Sequence, residues 1–270
     1  MPIISDEYIR DADISIAGAW PIAYDIYNLN HNKGDKYYFI QHYEIWSGKK
    51  EDVDGSYILP LKQIVIANWL KELMKNDFNN GNAQIAYNGI DFDEFNNNNK
   101  RFNNKTVSMM YHSLEWKGYK EGLKVFQIVK AKLPDLKLIL FGMEKGEDIP
   151  DYAQFHFNPS MEELKQIYCK SDVFIFPSKF EGWGLTPLEA MACKCAVVGT
   201  TVGAISEIGV DGENVLTCEP GDVEGLAKNL YKILTDENLL KEISINGYNT
   251  ALNFSWDKSV ERFEAILINS

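Results

Sequence analysis

Between Asp172 and Ala192 the chain passes from a short apolar run through a glycine loop into a helix start, and that order restricts the folds open to it. Asp172-Val173-Phe174-Ile175-Phe176 has the β-type character of a strand buried on both faces of a parallel sheet. Thr186 reads as an N-cap and Pro187 as the first helical position, so a helix is expected through Leu188, Ala190, Met191 and Ala192. The first amides of a helix lack intrahelical partners and carry the positive end of its dipole. Gly182 and Gly184 let the backbone before that helix approach a ligand closely. The segment therefore reads as an anion cradle built from Gly182, Gly184, Leu185 and Thr186. It lies where open α/β sheets place their ligands, beyond the carboxyl ends of the strands.

The alternation recurs along the chain. Strands are expected at 14–17, 37–41, 64–67 and 83–86, with helices at 21–29 and 68–74 and a loop between 41 and 64. From Thr106 the pattern repeats as strand 107–111, helix 120–132, strands 136–141 and 155–157, helix 161–170 and strand 173–176. Strands 196–199 and 214–217 and a helix at 223–234 follow the glycine segment. This reads as two Rossmann-like parallel-sheet domains, residues 1–88 and 106–254, joined by a linker at 89–105 that carries the polar runs Asn96–Asn99 and Asn103–Asn104. The tail 255–270 is amphipathic, with Val260, Phe263, Ile266 and Leu267 on one face. With 270 residues and 45% hydrophobic content, the chain has enough apolar surface for two cores.

A net charge of −12 excludes the broad basic surface that nucleic acid requires, so any phosphate binding is local. Lys117, Lys179 and the amides at 184–186 are the local candidates. Cys169, Cys193, Cys195 and Cys218 form no C-x-x-C pair and lack a histidine at ligand spacing, which points to reduced, packed thiols and no metal. No leader pattern or membrane-length apolar run is visible, so the expected location is cytoplasmic; the sequons at Asn104 and Asn253 then carry little weight.

Glu181 and Glu189 flank the glycine loop with seven residues between them. Thr186 and Glu189 alone satisfy the S/T-x-x-E capping box, and for that pair in isolation capping is the favoured reading. The whole wording, Glu-Gly-Trp-Gly-Leu-Thr-Pro-Leu-Glu-Ala, resembles the signature of family 4 retaining glycosyltransferases, which have the GT-B fold. Asn88-Gly89-Ile90-Asp91 with Phe95 is similar to that family's domain linker, Lys117-Gly118 to its donor-phosphate lysine motif, and Gly203-Ala204, Glu207 and Gly221-Asp222 to its later turns.

The resemblance implies transfer of a sugar from a nucleoside-diphosphate donor to an acceptor hydroxyl, with retention and no obligatory metal. It implies that Lys117 neutralises the leaving phosphate, that Glu181 accepts hydroxyls of the transferred sugar and that Glu189 accepts those of the ribose. The amides of Gly184, Leu185 and Thr186 hold the diphosphate, and the base rests near Phe157, Asn158 and Pro159. Asn158 reads equally well as a plain turn residue. Where the family has an arginine five residues before the lysine, this chain has His112, a pH-dependent substitute without a bidentate fork. His42, within Gln41-His42-Tyr43-Glu44, matches the family's histidine near the donor sugar, with Glu44 orienting it or the acceptor. Trp20, Trp46 and Trp69 are candidates for stacking on acceptor sugars, although core packing is the commoner role.

The wording at 41–44 and 111–118 resembles bacterial surface-polysaccharide members, some using dTDP-rhamnose, and the donor stays open among UDP-, GDP- and dTDP-sugars. A glycan or lipid-linked acceptor follows, with peripheral contact at the inner membrane face. Against the family's pattern roughly the first half of the first domain is absent, since only about ninety residues precede Asn88-Gly89; the chain is then a fragment, or a natural short form whose exposed sheet edge a partner chain completes. A non-catalytic nucleotide-sugar-binding subunit or fragment is the alternative reading. A GT-B epimerase suits the spaced glutamates poorly.

Overall fold

The computed structural model describes residues 4–102 and 105–269. They form two compact units, one of residues up to Asn88 together with those from Ser259 onward, the other Gly89–Lys258. Asn103, Asn104 and the sequon there lie outside the described residues.

The first unit holds a parallel sheet of β1 (Ile14–Ala17), β2 (Asp35–Ile40), β3 (Lys62–Val65) and β4 (Gln84–Ile85), in that spatial order. Its helices are α1 (Trp20–Asn28), α2 (Lys50–Tyr57), α3 (Asn68–Asp77) and the last part of α10 (Trp256–Asn269). The start of α1 is capped from a distance, the Trp20 amide donating to Glu44 Oε2 at 2.9 Å. Tyr38 on β2 stacks on Tyr57 at the end of α2, and both are fully buried. One face of α10 closes the other side of the sheet: Phe263, Ile266 and Leu267 pack on Tyr37, Phe39, Ile64 and Ala86. Val260, expected on that face, is half exposed.

The second unit has six parallel strands: β5 (Thr106–Met110), β6 (Lys137–Gly142), β7 (Gln154–Phe157), β8 (Val173–Phe176), β9 (Ala196–Thr200) and β10 (Leu216–Cys218). Their spatial order is β10-β9-β8-β5-β6-β7. All four residues of β8 and all five of β9 are buried, as helices on both faces require. The core joins Val107, Met109, Val173, Ile175 and Val198 to Val125, Phe126 and Val129 of α4 (Tyr119–Lys132) and to Leu226, Leu230 and Ile233 of α8 (Val223–Thr235). The remaining helices are α5 (Met161–Lys170), α6 (Leu185–Ala192), α7 (Ala204–Ile208) and α9 (Glu237–Ala251).

The chain moves outward from β5 through β6 to β7, then returns to β8 on the other flank of β5. The direction of winding thus reverses between β5 and β8, and a crevice opens at their carboxyl ends.

Three elements differ from expectation. Helices α2, α7 and α9 occupy stretches in which no helix is expected from the sequence: Gly and Ser in α2 and Gly, Ser and Asn in α9 hide the periodicity, and α7 is only five residues long. In α9, Gly247 lies against Met191 and Ser244 Oγ donates to the Lys194 carbonyl at 2.7 Å. The stretch from Gly89 to Phe102 belongs to the second unit. The Ile90 amide donates to the Phe254 carbonyl at 2.9 Å, and Phe95 is buried edge-on to Tyr168.

Candidate functional site

Two loops leave the switch point side by side, residues 111–118 after β5 and 177–184 after β8. They are stitched together by the Lys179 amide, which donates to the Trp116 carbonyl at 2.7 Å. Lys117 ends a single 3-10 turn, Glu115–Lys117, and its Nζ donates to both oxygens of Glu181, at 2.9 and 2.8 Å. The Ser178 hydroxyl adds a third bond to Glu181 Oε1 at 2.8 Å, and Thr200 Oγ1 in turn donates to the Ser178 carbonyl. The Glu181 side chain is only 6% exposed and that of Lys117 22%. A carboxylate so enclosed persists because it is matched by a cation and a hydroxyl. Lys179, the other candidate phosphate ligand, is instead committed to Glu121 at 2.9 Å and Glu115 at 3.5 Å, and its Glu121 bond holds the ammonium above its ordinary range.

Helix α6 starts two residues earlier than Thr186 predicts. Gly184, at φ +78°, is the N-cap, so Leu185, Thr186 and Pro187 are the first three helical residues. Thr186 is therefore no cap, and the capping box with Glu189 does not form: among the described residues no side chain caps this helix. The backbone enters from a conformation that glycine adopts freely, which brings the turn forward. The amides of Leu185 and Thr186 consequently have no acceptor among the described residues. Gly203, at φ +55°, presses on the loop from behind. A Cβ there would lie 2.8 Å from Glu181 Cβ and against the Trp183 carbonyl, which accepts from the Ala204 amide at 2.5 Å.

Glu189, freed from capping, receives the Tyr168 hydroxyl on Oε2 at 2.9 Å. Burial pushes its carboxyl up to about 7, while the Tyr168 bond pulls it down.

The remaining candidates are less concentrated. His112 Nδ1 accepts the Leu114 amide at 3.1 Å and lines a pocket of about 440 Å³ with Tyr119, Lys120, Lys124 and Asp148. The structure puts Glu144, which accepts the Ser113 amide at 3.1 Å, beside that histidine; Ser113 holds the Glu144 carboxyl below its usual range. Phe157 is half exposed with the Lys145 ammonium 4.8 Å over its ring, and Asn158 follows at φ +46°, its amide donating to the Gly142 carbonyl. That left-handed turn accounts for an asparagine there. In the first unit His42 sits edge-on to Trp46 at 4.4 Å and to Trp69 at 5.8 Å. Glu44 is spent on the start of α1 rather than on His42, and burial raises its carboxyl. Trp46 is 52% exposed, so of the two tryptophans beside His42 it is the one open for stacking.

Ser178, Thr200 and Tyr168 were not singled out by sequence; Ser178 and Tyr168 contact Glu181 and Glu189 directly, and Thr200 supports Ser178. Among the described residues no three His, Cys, Asp or Glu side chains converge as metal ligands do, and no helix is long and apolar enough to cross a membrane.

The glycosyl transferases group 1 family pattern matches residues 91–250, and the chain belongs to that family. It is 30% identical over 179 residues to the capsular polysaccharide biosynthesis glycosyltransferase CapM of Staphylococcus aureus, covering 59% of this chain and 47% of CapM. The chain thus spans about half the length of that curated relative. Among solved structures, HepE of Anabaena, crystallised with UDP-glucose, superposes with a TM-score of 0.81 at 16% identity over 96% of this chain and 79% of HepE. The C-terminal domain of the group 1 protein LpcC of Francisella tularensis does so at 0.55 with 26% identity, over 61% of this chain and 97% of that domain. The α/β architecture is that of GT-B glycosyltransferases.

Proposed function

We propose that this chain transfers a sugar from a nucleoside-diphosphate donor to an acceptor hydroxyl, with retention at the anomeric carbon, in the synthesis of a cell-surface polysaccharide. The observation that carries the reading is the convergence at one switch point of an enclosed ammonium–carboxylate pair, Lys117 and Glu181, with a helix start whose leading amides have no acceptor among the described residues. A diphosphate arriving at the Leu185 and Thr186 amides competes for Lys117. The ammonium then neutralises the charge that grows on the leaving phosphate. Glu181, released from it, accepts hydroxyls of the sugar, and Glu189 accepts those of the ribose. Phe157 offers the base a ring face, and His42 with Trp46 belongs to the acceptor side. The relatives' names support the polysaccharide assignment: CapM is a capsular polysaccharide transferase, and O-antigen chain mannosyltransferase B of Escherichia coli is 33% identical over 96 residues. The acceptor is a glycan or a lipid-linked glycan, met at the membrane face.

The test is release of nucleoside diphosphate from UDP-, GDP- and dTDP-sugars, with and without acceptor mixtures. Turnover that drops by about a hundredfold or more in Glu181→Ala supports catalysis at this site. Nucleotide binding without turnover under every condition would instead mark a binding subunit.

A further inference from the structure

We propose that Tyr168 is a positioning residue for Glu189, its hydroxyl fixing the carboxylate as the acceptor for the donor's ribose; this rests on the donor-binding reading above. Tyr168 lies in the last turn of α5 and is fully buried. Its ring meets Phe95, Phe141 and Phe174 edge-on at 6.1, 5.6 and 5.5 Å. Packing of this kind locates the hydroxyl whether or not it has a partner. A phenol has a single proton to give, and here it goes to Glu189 Oε2. Oε1 makes no hydrogen bond to the described residues, so the carboxylate is anchored by one oxygen and offers the other.

The bond also decides the charge of the acceptor. Burial alone favours the neutral acid, which donates where a ribose hydroxyl needs an acceptor; the Tyr168 bond favours the carboxylate. Tyr168 itself is held well above the usual phenol range by burial and by Glu189, so it stays a donor at every working pH. The other titratable groups acting on Tyr168 are the thiols of Cys193, at the end of α6, and Cys195, ahead of β9. Contact with Cys169 and burial raise the Cys193 thiol, and burial pushes Cys195 up to about 12, so both are neutral. Among the described residues β8, β9, α7 and α9, which also pack on α6, bring no charge that acts on Glu189.

The experiment is calorimetric titration of the full chain with UDP, GDP and dTDP between about pH 6 and about pH 9, on the wild type, Tyr168→Phe and Glu189→Gln. For the tightest nucleotide, wild-type affinity should fall about tenfold as pH drops through the neutral range, while Glu189→Gln should bind weakly with a flat profile. Tyr168→Phe should show the same fall with its midpoint about one pH unit higher, and should return to within about threefold of wild type at the alkaline end. Incorporation of 3-fluorotyrosine at position 168, a stronger donor of nearly the same shape, should move the midpoint downward and keeps the test available if the phenylalanine variant does not fold. A Tyr168→Phe profile that overlays the wild type, or lies below it by the same factor at every pH, overturns the proposal and leaves donor binding standing. A wild type that binds none of the three nucleotides overturns both.

Discussion

Glu189 sets function against stability at a single carboxyl. Its folded value, pushed up to about 7 by burial, lies above that of an unfolded glutamate, so the folded chain holds an extra proton between the two. The stability this proton brings is complete below the unfolded value and is lost as pH rises through about 7, where the ionised form that suits a ribose takes over. Glu189→Gln, which keeps an acceptor for Tyr168, should therefore unfold at a higher denaturant midpoint than wild type at about pH 8, by on the order of 2 kcal/mol, and the gain should vanish near pH 5. A gain that is the same at both pH values would mean that burial does not tax the charge. Lys117 and Glu181 make the opposite case. Removing Lys117 leaves the buried Glu181 carboxylate without its cation, so Lys117→Ala should cost about 3 kcal/mol or more; Glu181→Ala, which leaves a partly exposed ammonium, should cost less, and the double variant should recover part of the Lys117→Ala loss. Additive losses in that cycle would show the two side chains to be energetically independent. Glu181 and Glu189 stand out in the sequence because the wording around a helix start is local, whereas Lys117, in a separate loop, is singled out only through the family resemblance. Thr200 and Tyr168 do not stand out, since their contacts run to Ser178 and Glu189 across the fold, and Ser178, only three residues from Glu181, reads in the sequence as an ordinary loop serine.

The strands show why pattern reading works where burial is uniform. Residues 173–176 are apolar without a break because both faces of β8 are covered, and the sequence reading matches the strand residue for residue. Helix α9 is the reverse: Ser244, Asn246, Gly247, Asn249 and Thr250 are weak helix formers, and what holds them is the seat on α6 and β9. Propensity carries no trace of that seat. The start of α6 was misread for a related reason, since Thr186-Pro187 looks like a cap and first turn, yet the positive φ of Gly184 commits the backbone earlier. Gly203→Ala must force a Cβ into the Trp183 carbonyl and the Glu181 side chain at a left-handed φ, whereas Gly212→Ala, at φ +79°, meets nothing within 4 Å. The first should lose about 3 kcal/mol and most of its nucleotide affinity, the second about 1 kcal/mol with affinity intact. Thermal unfolding with and without UDP separates them, and equal losses would show that only the dihedral matters.

At the scale of the whole chain the two units differ in how they are closed. The second is one continuous segment, Gly89–Lys258, and its ends meet: the Ile90 amide donates to the Phe254 carbonyl and the Trp256 amide to the Ile90 carbonyl at 3.1 Å. The first is discontinuous, because Phe263, Ile266 and Leu267 return from the far end of the sequence to cover β2, β3 and Ala86. Arg262 fastens the same helix to β4, its Nε donating to the Ile85 carbonyl at 3.1 Å. The amphipathic tail was visible from its spacing, whereas its return onto the first domain was implied only by the family resemblance. Deleting residues 259–270 removes one buried apolar side chain, Ile266, and two partly buried ones, Phe263 and Leu267, from a four-stranded sheet, on the order of 4 kcal/mol, a large share of the stability of a small domain. The truncated chain should therefore keep a cooperative unfolding transition and nucleotide binding from the second unit while the first becomes protease-sensitive. Limited proteolysis read by mass spectrometry should yield a stable fragment that begins near Gly89, and the separately expressed segment 89–258 should unfold with the same midpoint as that fragment. Loss of the cooperative transition on truncation would show that the second unit depends on the first for its fold, and would overturn the division of the chain into one self-closed unit and one closed by its tail.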